Sequence, residues 1–173
     1  MIASPNYYLG IYDGDGSRYN LSGPPGSAEA EKLFEDWFAS RDLVTFGSEF
    51  NGRSDYGPFL DAGVPCGGLD TGADGIKTEE EVAIYGGVAN ELYDPNYHSA
   101  KDNVMNLAKF PFEVNAKAIA HAVATYGKSW TGFPKRLPSN ATSVAAKRYT
   151  HPGTAGSVMH KKHVCGTQDI PEY

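Results

Sequence analysis

Segments patterned as β-strands alternate with segments patterned as α-helices along the first 129 residues. Residues 7–12 are rich in aromatic side chains and run into Asp-Gly-Asp-Gly, which predicts a strand that ends at a turn. Residues 28–40 place four large apolar side chains on one helical face, which predicts an amphipathic helix with Ser27 as its N-cap. Alternation of this kind is typical of a layered α/β domain.

The same alternation continues from residue 43 to residue 127. Strands are predicted over residues 43–50 and 64–69, and helices over residues 54–62, 78–85 and 112–127. The helix that follows Thr78 has the clearest start, since Glu81 stands three residues later and completes a capping box. Residues 94–106 are polar and are predicted to form a loop.

The 173 residues divide into an acidic part and a basic part. Residues 1–129 carry 9 Lys and Arg against 19 Asp and Glu, whereas residues 130–173 carry 6 against 2. An acidic body repels phosphate, which argues against a nucleic-acid partner. The basic part is proline-containing and without periodicity, so we predict one domain over 1–129 and a disordered tail over 130–173. No stretch approaches the roughly 18 consecutive apolar residues of a membrane span, and no membrane partner is expected.

Indications of the cellular compartment conflict. Residues 1–6 lack a basic segment and a long apolar stretch, so no signal peptide is predicted. Asn20 and Asn140 each begin a tripeptide that fits the N-glycosylation pattern, which hints at secretion. Cys66 and Cys165 leave open one disulfide or two free thiols.

Two short motifs look like metal sites but lack a full ligand set. Asp13 and Asp15 resemble the start of an EF-hand calcium loop, yet Arg18 and Pro24 occupy the positions that require Gly and Glu. We interpret this segment as a tight surface turn. Residues 160–165 offer two imidazoles and a thiol, one donor fewer than a structural zinc site needs, which favours a chance cluster.

Two loops are better candidates for chemistry. Residues 52–59 combine Gly, charged and aromatic residues just before a predicted helix, as in loops whose backbone approaches a ligand. Residues 94–102 place His98 among carboxylates, a donor set that suits zinc, with the Tyr97 hydroxyl beside it to donate to an oxyanion. The alternative for the second loop is an ordinary histidine held by Asp94 or Asp102.

Taken in order, six segments resemble the secreted leucine-type zinc aminopeptidases of bacteria and fungi, metallopeptidase family twenty-eight. They are MIASPN at 1–6, YDGDGS at 12–17, GPPGS at 23–27, GRSDYGPF at 52–59, GGLDTGADGIKT at 67–78 and YDPNYH at 93–98. The fungal members look closest, because Asn96 and Lys101 stand where bacterial relatives carry a disulfide around the histidine. The resemblance implies a three-layer αβα sandwich with a mixed sheet, two zinc ions that activate water, peptide substrates and an extracellular location.

The resemblance also implies roles for five residues of this chain. His98 matches the last zinc ligand, and Tyr97 matches the tyrosine that hydrogen-bonds the scissile carbonyl oxygen. Arg53 matches a position whose backbone helps receive the substrate α-amino group, and Asp70 falls in the wall of the side-chain pocket. Asp55 matches a position that holds a ligand or the adjoining loop.

The chain departs from the family in its metal ligands. The family uses five ligands and a separate Glu as general base, and of these the resemblance finds only His98, since the others belong to an upstream half. We therefore expect a sandwich that is incomplete on its N-terminal side and a chain that is inactive alone. Two histories stay open: a fragment of a longer active aminopeptidase, or a short non-catalytic paralogue that acts as a binding or interaction module.

Overall fold

Three short strands form an open mixed sheet at the centre of the fold. The computed structural model describes residues 1–135. The strands are β1 (Gly10–Tyr12), β2 (Phe46–Ser48) and β3 (Leu69–Asp70), in the order β2-β1-β3. Strand β1 runs parallel to β2 and antiparallel to β3. The predicted α/β class is confirmed, although each strand is shorter than the sequence patterns predict.

Four α-helices and one 3-10 turn accompany the sheet. The helices are α1 (Ser27–Ala39), α2 (Gly57–Asp61), α3 (Glu79–Tyr85) and α4 (Lys109–Lys128), and the 3-10 turn spans Val104–Asn106. Helix α4 begins three residues earlier than predicted, because Pro111 fits in the first turn, where its missing N–H has no intrahelical partner to lose. Within residues 1–135, no helix is long and apolar enough to cross a bilayer.

Side chains of β1 and of the residues before it alternate between the two faces of the sheet. Leu9 and Ile11 are buried on one face, against α1 and α4. Tyr8 and Tyr12 point the other way, where they contact other aromatic rings. The sheet therefore has an apolar face covered by two helices and an aromatic face directed toward the loops.

The hydrophobic core lies on the helix-covered face. It combines strand residues with one face of α1 and with Ala118 of α4, whose small side chain lets the two helices approach closely. Its buried members are Leu9, Ile11, Phe34, Trp37, Phe38, Leu69 and Ala118. Because the core joins residues from positions 9 to 118, the two ends of the predicted domain pack together.

The start of helix α1 differs from the prediction. Gly26, not Ser27, is the N-cap residue, and it has φ 111°, a left-handed conformation that favours glycine. Ser27 is already helical and buried, and its Oγ accepts a hydrogen bond from the backbone N–H of Cys66 at 3.1 Å. The serine thus ties the helix start to the segment before β3.

The capping box of helix α3 is confirmed. Thr78 Oγ1 accepts from the Glu81 backbone N–H at 3.2 Å, and Glu81 Oε2 accepts from the Thr78 N–H at 2.7 Å. Glu81 also accepts from the hydroxyl of Tyr93, at 2.8 Å to Oε1. One buried carboxylate therefore joins this helix to the loop that begins at Tyr93.

The first residues after α4 fold back on that helix. The Trp130 ring stacks on Tyr126 with 5.2 Å between centroids, and Phe133 meets both rings edge-on. The remainder of the predicted tail, with Asn140, Cys165 and the cluster at residues 160–165, lies outside the described residues.

We expect Phe38→Ala to lower the free energy of unfolding by about 3–5 kcal/mol, since it empties a site in the core. Phe38 is only 1% exposed, whereas Phe112 on α4 is 45% exposed. Urea unfolding monitored by circular dichroism is the measurement, and Phe112→Ala is the matched control, with an expected loss of less than half as much. Equal losses in the two variants would contradict the core as described.

Candidate active site

A small polar cavity of about 110 Å³ opens on the aromatic face of the sheet. It is lined by three of the five residues that the sequence singles out: Arg53, Asp70 and Tyr97. Other lining residues come from the sheet and from the loops that follow β2 and β3: Met1, Tyr12, Ser48, Asn51, Ser54, Tyr56, Gly72, Ala73 and Asp74. The cavity thus brings together segments that are distant in the sequence.

Asp70 lies at the end of β3 and is held from two sides. Its Oδ1 accepts from the backbone N–H groups of Thr71 at 2.8 Å and Gly72 at 3.2 Å. Its Oδ2 accepts from the hydroxyls of Tyr8 at 3.0 Å and Ser48 at 3.2 Å. Because both oxygens are engaged, the carboxylate is a fixed polar wall of the cavity with a defined orientation.

Tyr8 supports Asp70 as a neutral donor. Burial raises the pKa of the Tyr8 phenol far above its usual value, and the negative charge of Asp70 raises it further. The hydroxyl therefore keeps its proton throughout the physiological pH range and donates a hydrogen bond to Asp70.

Two aromatic rings shape the cavity beside Asp70. Tyr12 stacks on Phe50 with 5.1 Å between centroids, and Tyr56 meets Tyr12 edge-on at 4.8 Å. Burial raises the pKa of Tyr12 and of Tyr56, so both phenols stay neutral. The aromatic cluster fixes one wall of the cavity through packing.

The Arg53 side chain pairs with Asp74, and both residues line the cavity. Its Nη2 donates to Asp74 Oδ2 at 2.7 Å, and its backbone N–H donates to Asn51 Oδ1 at 3.0 Å. The pair is largely solvent-exposed, so it contributes little stability and serves mainly to position the two loops. Asp55, two residues later, is exposed and is not among the residues that line the cavity.

Tyr97 and His98 lie in the loop between Tyr93 and α4. Their rings stack with 3.8 Å between centroids, and His98 has φ 54°, an uncommon conformation for a residue with a side chain. Asp94 and Asp102 both accept from the Asn106 side-chain amide, at 2.9 Å and 3.1 Å. Asp94 and Asp102, which the sequence offers as partners for His98, therefore form hydrogen bonds within the loop through Asn106.

The described residues do not form a zinc site on their own. Within residues 1–135, the one group of three or more metal-binding side chains whose donor atoms converge is Asp13, Asp15 and Glu31, without His98. A zinc site needs at least three protein ligands, usually including nitrogen or sulfur. His98 is exposed and supplies only one imidazole, which is not enough for a zinc site.

Comparison with known proteins shows the family of this chain. The model of Peptidase family M28 matches residues 8–123, about two thirds of the chain. The chain belongs to peptidase family M28. Members of this family are zinc-dependent in general.

Several fungal proteins are about 50% identical to this chain over most of its length. The chain is 54% identical over 167 residues to the "probable leucine aminopeptidase 2" of Aspergillus oryzae, covering 96% of this chain and 34% of that protein. It is 49% identical over 172 residues to the "Probable leucine aminopeptidase 2" of Aspergillus fumigatus, covering 95% and 34%. The Trichophyton rubrum "Leucine aminopeptidase 2" is 46% identical over 153 residues, covering 88% and 31%. The chain spans about a third of the length of the curated relatives it matches.

These comparisons confirm the resemblance drawn from the six sequence segments, including its fungal type. Sequence patterns missed several residues of the cavity, above all Tyr12, Ser48 and Asp74. Tyr12 carries a usable signal, since strand alternation places it opposite the core residue Ile11. Ser48 and Asp74 carry no such signal, because only the folded chain brings them next to Asp70 and Arg53.

We expect Asp70→Asn to lower the free energy of unfolding by about 1–3 kcal/mol. The amide keeps one oxygen for the backbone N–H groups but presents hydrogens to Tyr8 and Ser48, which now donate to Oδ2. Urea unfolding gives the measurement, and Asp61→Asn, at an exposed position of α2, is the control, with almost no expected change. A loss for Asp70→Asn no larger than that of the control would show that these bonds do not hold the cavity wall.

Proposed function

We propose that this chain forms the C-terminal part of the catalytic domain of a zinc aminopeptidase that releases N-terminal residues from peptides. The observation that carries the proposal is that Arg53, Asp70 and Tyr97 line the same cavity. The family match supports a peptidase, and the names of the fungal relatives support an aminopeptidase.

Tyr97 is the residue that acts on the reacting group. Tyr97 lines the cavity, and its ring is held by the stack with His98. In this proposal the hydroxyl donates a hydrogen bond to the oxygen of the scissile carbonyl, where negative charge develops as the tetrahedral intermediate forms. A positioned donor stabilises this charge more than it stabilises the substrate, which accelerates the reaction.

Arg53 and Asp70 bind the N-terminal residue of the peptide. The loop at Arg53 is fixed by its bonds to Asn51 and Asp74, so its backbone is in position to receive the α-amino group. Asp70 and the Tyr12 and Tyr56 rings bound the space for the side chain. Since both oxygens of Asp70 are already engaged, this wall does not require a cationic side chain, in agreement with an apolar N-terminal residue such as leucine.

His98 contributes one ligand to a zinc site whose other ligands come from the part of the relatives that this chain does not cover. The same missing part supplies further strands and helices, which complete a three-layer αβα sandwich. Asp55 then supports the adjoining loop or a ligand. The complete protein is extracellular in this proposal, as expected for a secreted-type fungal aminopeptidase, and its partners are peptides.

We expect Tyr97→Phe, in the complete encoded polypeptide that contains residues 1–173, to lower kcat about 100-fold with little change in KM. The cause is the loss of one donor to the developing oxyanion. Release of nitroaniline from a leucine anilide gives the rate. Tyr126→Phe, which removes a hydroxyl bonded to the Glu29 carbonyl on the other face of the sheet, is the control and should retain full activity. An unchanged kcat for Tyr97→Phe would refute this role.

We expect His98→Ala to lower the zinc content of the complete polypeptide and to abolish chelator-sensitive leucine release. Elemental analysis of the purified variant measures the zinc-to-protein ratio, and His121→Ala, on α4, is the control. Zinc content equal to the control would show that His98 is not a ligand. In the wild-type polypeptide, zinc binding combined with cleavage of internal peptide bonds only would contradict the aminopeptidase assignment, and absence of any turnover would favour a binding module.

A further inference from the structure

Three carboxylates converge on the helix-covered side of the sheet, away from the cavity. Asp13 follows β1 directly and continues its pairing with β2, since its backbone N–H donates to the Ser48 carbonyl at 2.9 Å. Strand alternation places its side chain on the face of Ile11, opposite Tyr12. There one oxygen each of Asp13, Asp15 and Glu31 of α1 lie within 4.8 Å of one another.

A buried carboxylate oxygen in this cluster has no hydrogen-bond partner. Asp13 is 0% exposed. Its Oδ2 accepts from the backbone N–H groups of Arg18 at 3.1 Å and Tyr19 at 2.8 Å, but its Oδ1 is buried without a donor. An unsatisfied charged oxygen in the interior is costly, so native proteins almost always provide it with a donor or a cation.

No described cation neutralises the cluster. Among residues 1–135, the ion pairs join Lys32 to Asp36, Arg53 to Asp74 and Lys117 to Glu113, and none of them includes a carboxylate of the cluster. Burial raises the pKa of the Glu31 carboxyl, and the charges of Asp15 and Asp13 raise it further. Three acids that repel one another are thus held together by the fold itself.

The donor atoms select the kind of ion. All of them are oxygens, which suit a hard cation, and the cluster includes no imidazole or thiol of the kind that zinc prefers. Calcium binds oxygens at about 2.3–2.6 Å, so two ligands on opposite sides of one ion are about 4.6–5.2 Å apart. Separations within 4.8 Å therefore allow one calcium ion to touch all three carboxylates. Asp15 is exposed, which leaves room for water ligands and for entry of the ion.

We propose that Asp13, Asp15 and Glu31 form a calcium site. The bound ion links the loop after β1 to helix α1, reinforcing the contact in which the Asp15 backbone N–H donates to Glu31 Oε2 at 2.9 Å. Because calcium binds the folded arrangement and not the unfolded chain, it stabilises the fold by mass action. This site does not depend on the peptidase reaction, since it lies across the sheet from the cavity.

Calcium titration of the complete encoded polypeptide, first freed of metal with a chelator, tests the proposal. Isothermal titration with calcium chloride should detect a site whose affinity falls at least tenfold in Asp15→Asn. Asparagine keeps the oxygen that accepts from the Ser17 backbone N–H, so this exposed variant should retain the fold, which circular dichroism checks. The matched control is Glu35→Gln, which removes the same charge from an exposed position one turn along α1. Its calcium affinity should equal that of the wild type.

Thermal unfolding gives a second readout. Calcium should raise the Tm of the wild type and of Glu35→Gln, with a clearly smaller increase for Asp15→Asn. With magnesium chloride or zinc chloride at the same concentrations, the increase in Tm should differ less between Glu35→Gln and Asp15→Asn than it does with calcium. Three results would overturn the proposal: no calcium effect on the folded wild type, equal calcium binding by Asp15→Asn and Glu35→Gln, or a larger variant difference with magnesium or zinc.

Discussion

Strand β1 is the element on which the rest of the structure depends. Its backbone pairs with β2 on one side and β3 on the other, so it holds the sheet together. Side-chain alternation along the strand and the residue before it places Leu9 and Ile11 in the core and Tyr12 at the cavity. The residue that follows it, Asp13, returns to the core side and meets α1. One short strand therefore sets the positions of the hydrophobic core, the proposed substrate cavity and the proposed calcium site.

Local signals in the sequence predicted local structure well. The Thr78–Glu81 capping box needs only residues three positions apart, and the structure confirms it. The strands were predicted too long, because the length of a strand is set by its partners, and β3 offers only two residues for pairing. Ser27 was assigned the wrong role for a similar reason. Its hydroxyl bonds to Cys66, a partner 39 residues away that no local pattern reveals.

The candidate site depends even more on distant contacts. The resemblance to a family assigned separate roles to Arg53, Asp70 and Tyr97, and all three line the cavity. Tyr8 and Ser48, which orient Asp70, were not predicted, since they are 62 and 22 residues away from it. The Asp13–Asp15 segment looked like a plain turn, because Glu31, the third carboxylate of the cluster, belongs to a helix and matches no calcium-loop spacing.

The carboxylate of Glu81 has a consequence for dynamics. It closes the first turn of α3 and at the same time accepts the hydroxyl of Tyr93, where the loop with Tyr97 and His98 begins. Opening of either element breaks the bonds of the other, so the helix and the loop form one cooperative unit in local unfolding. Amide hydrogens in both segments should then exchange with solvent at a common rate, and the mobility of Tyr97 depends on a helix that contributes no residue to the lining of the cavity.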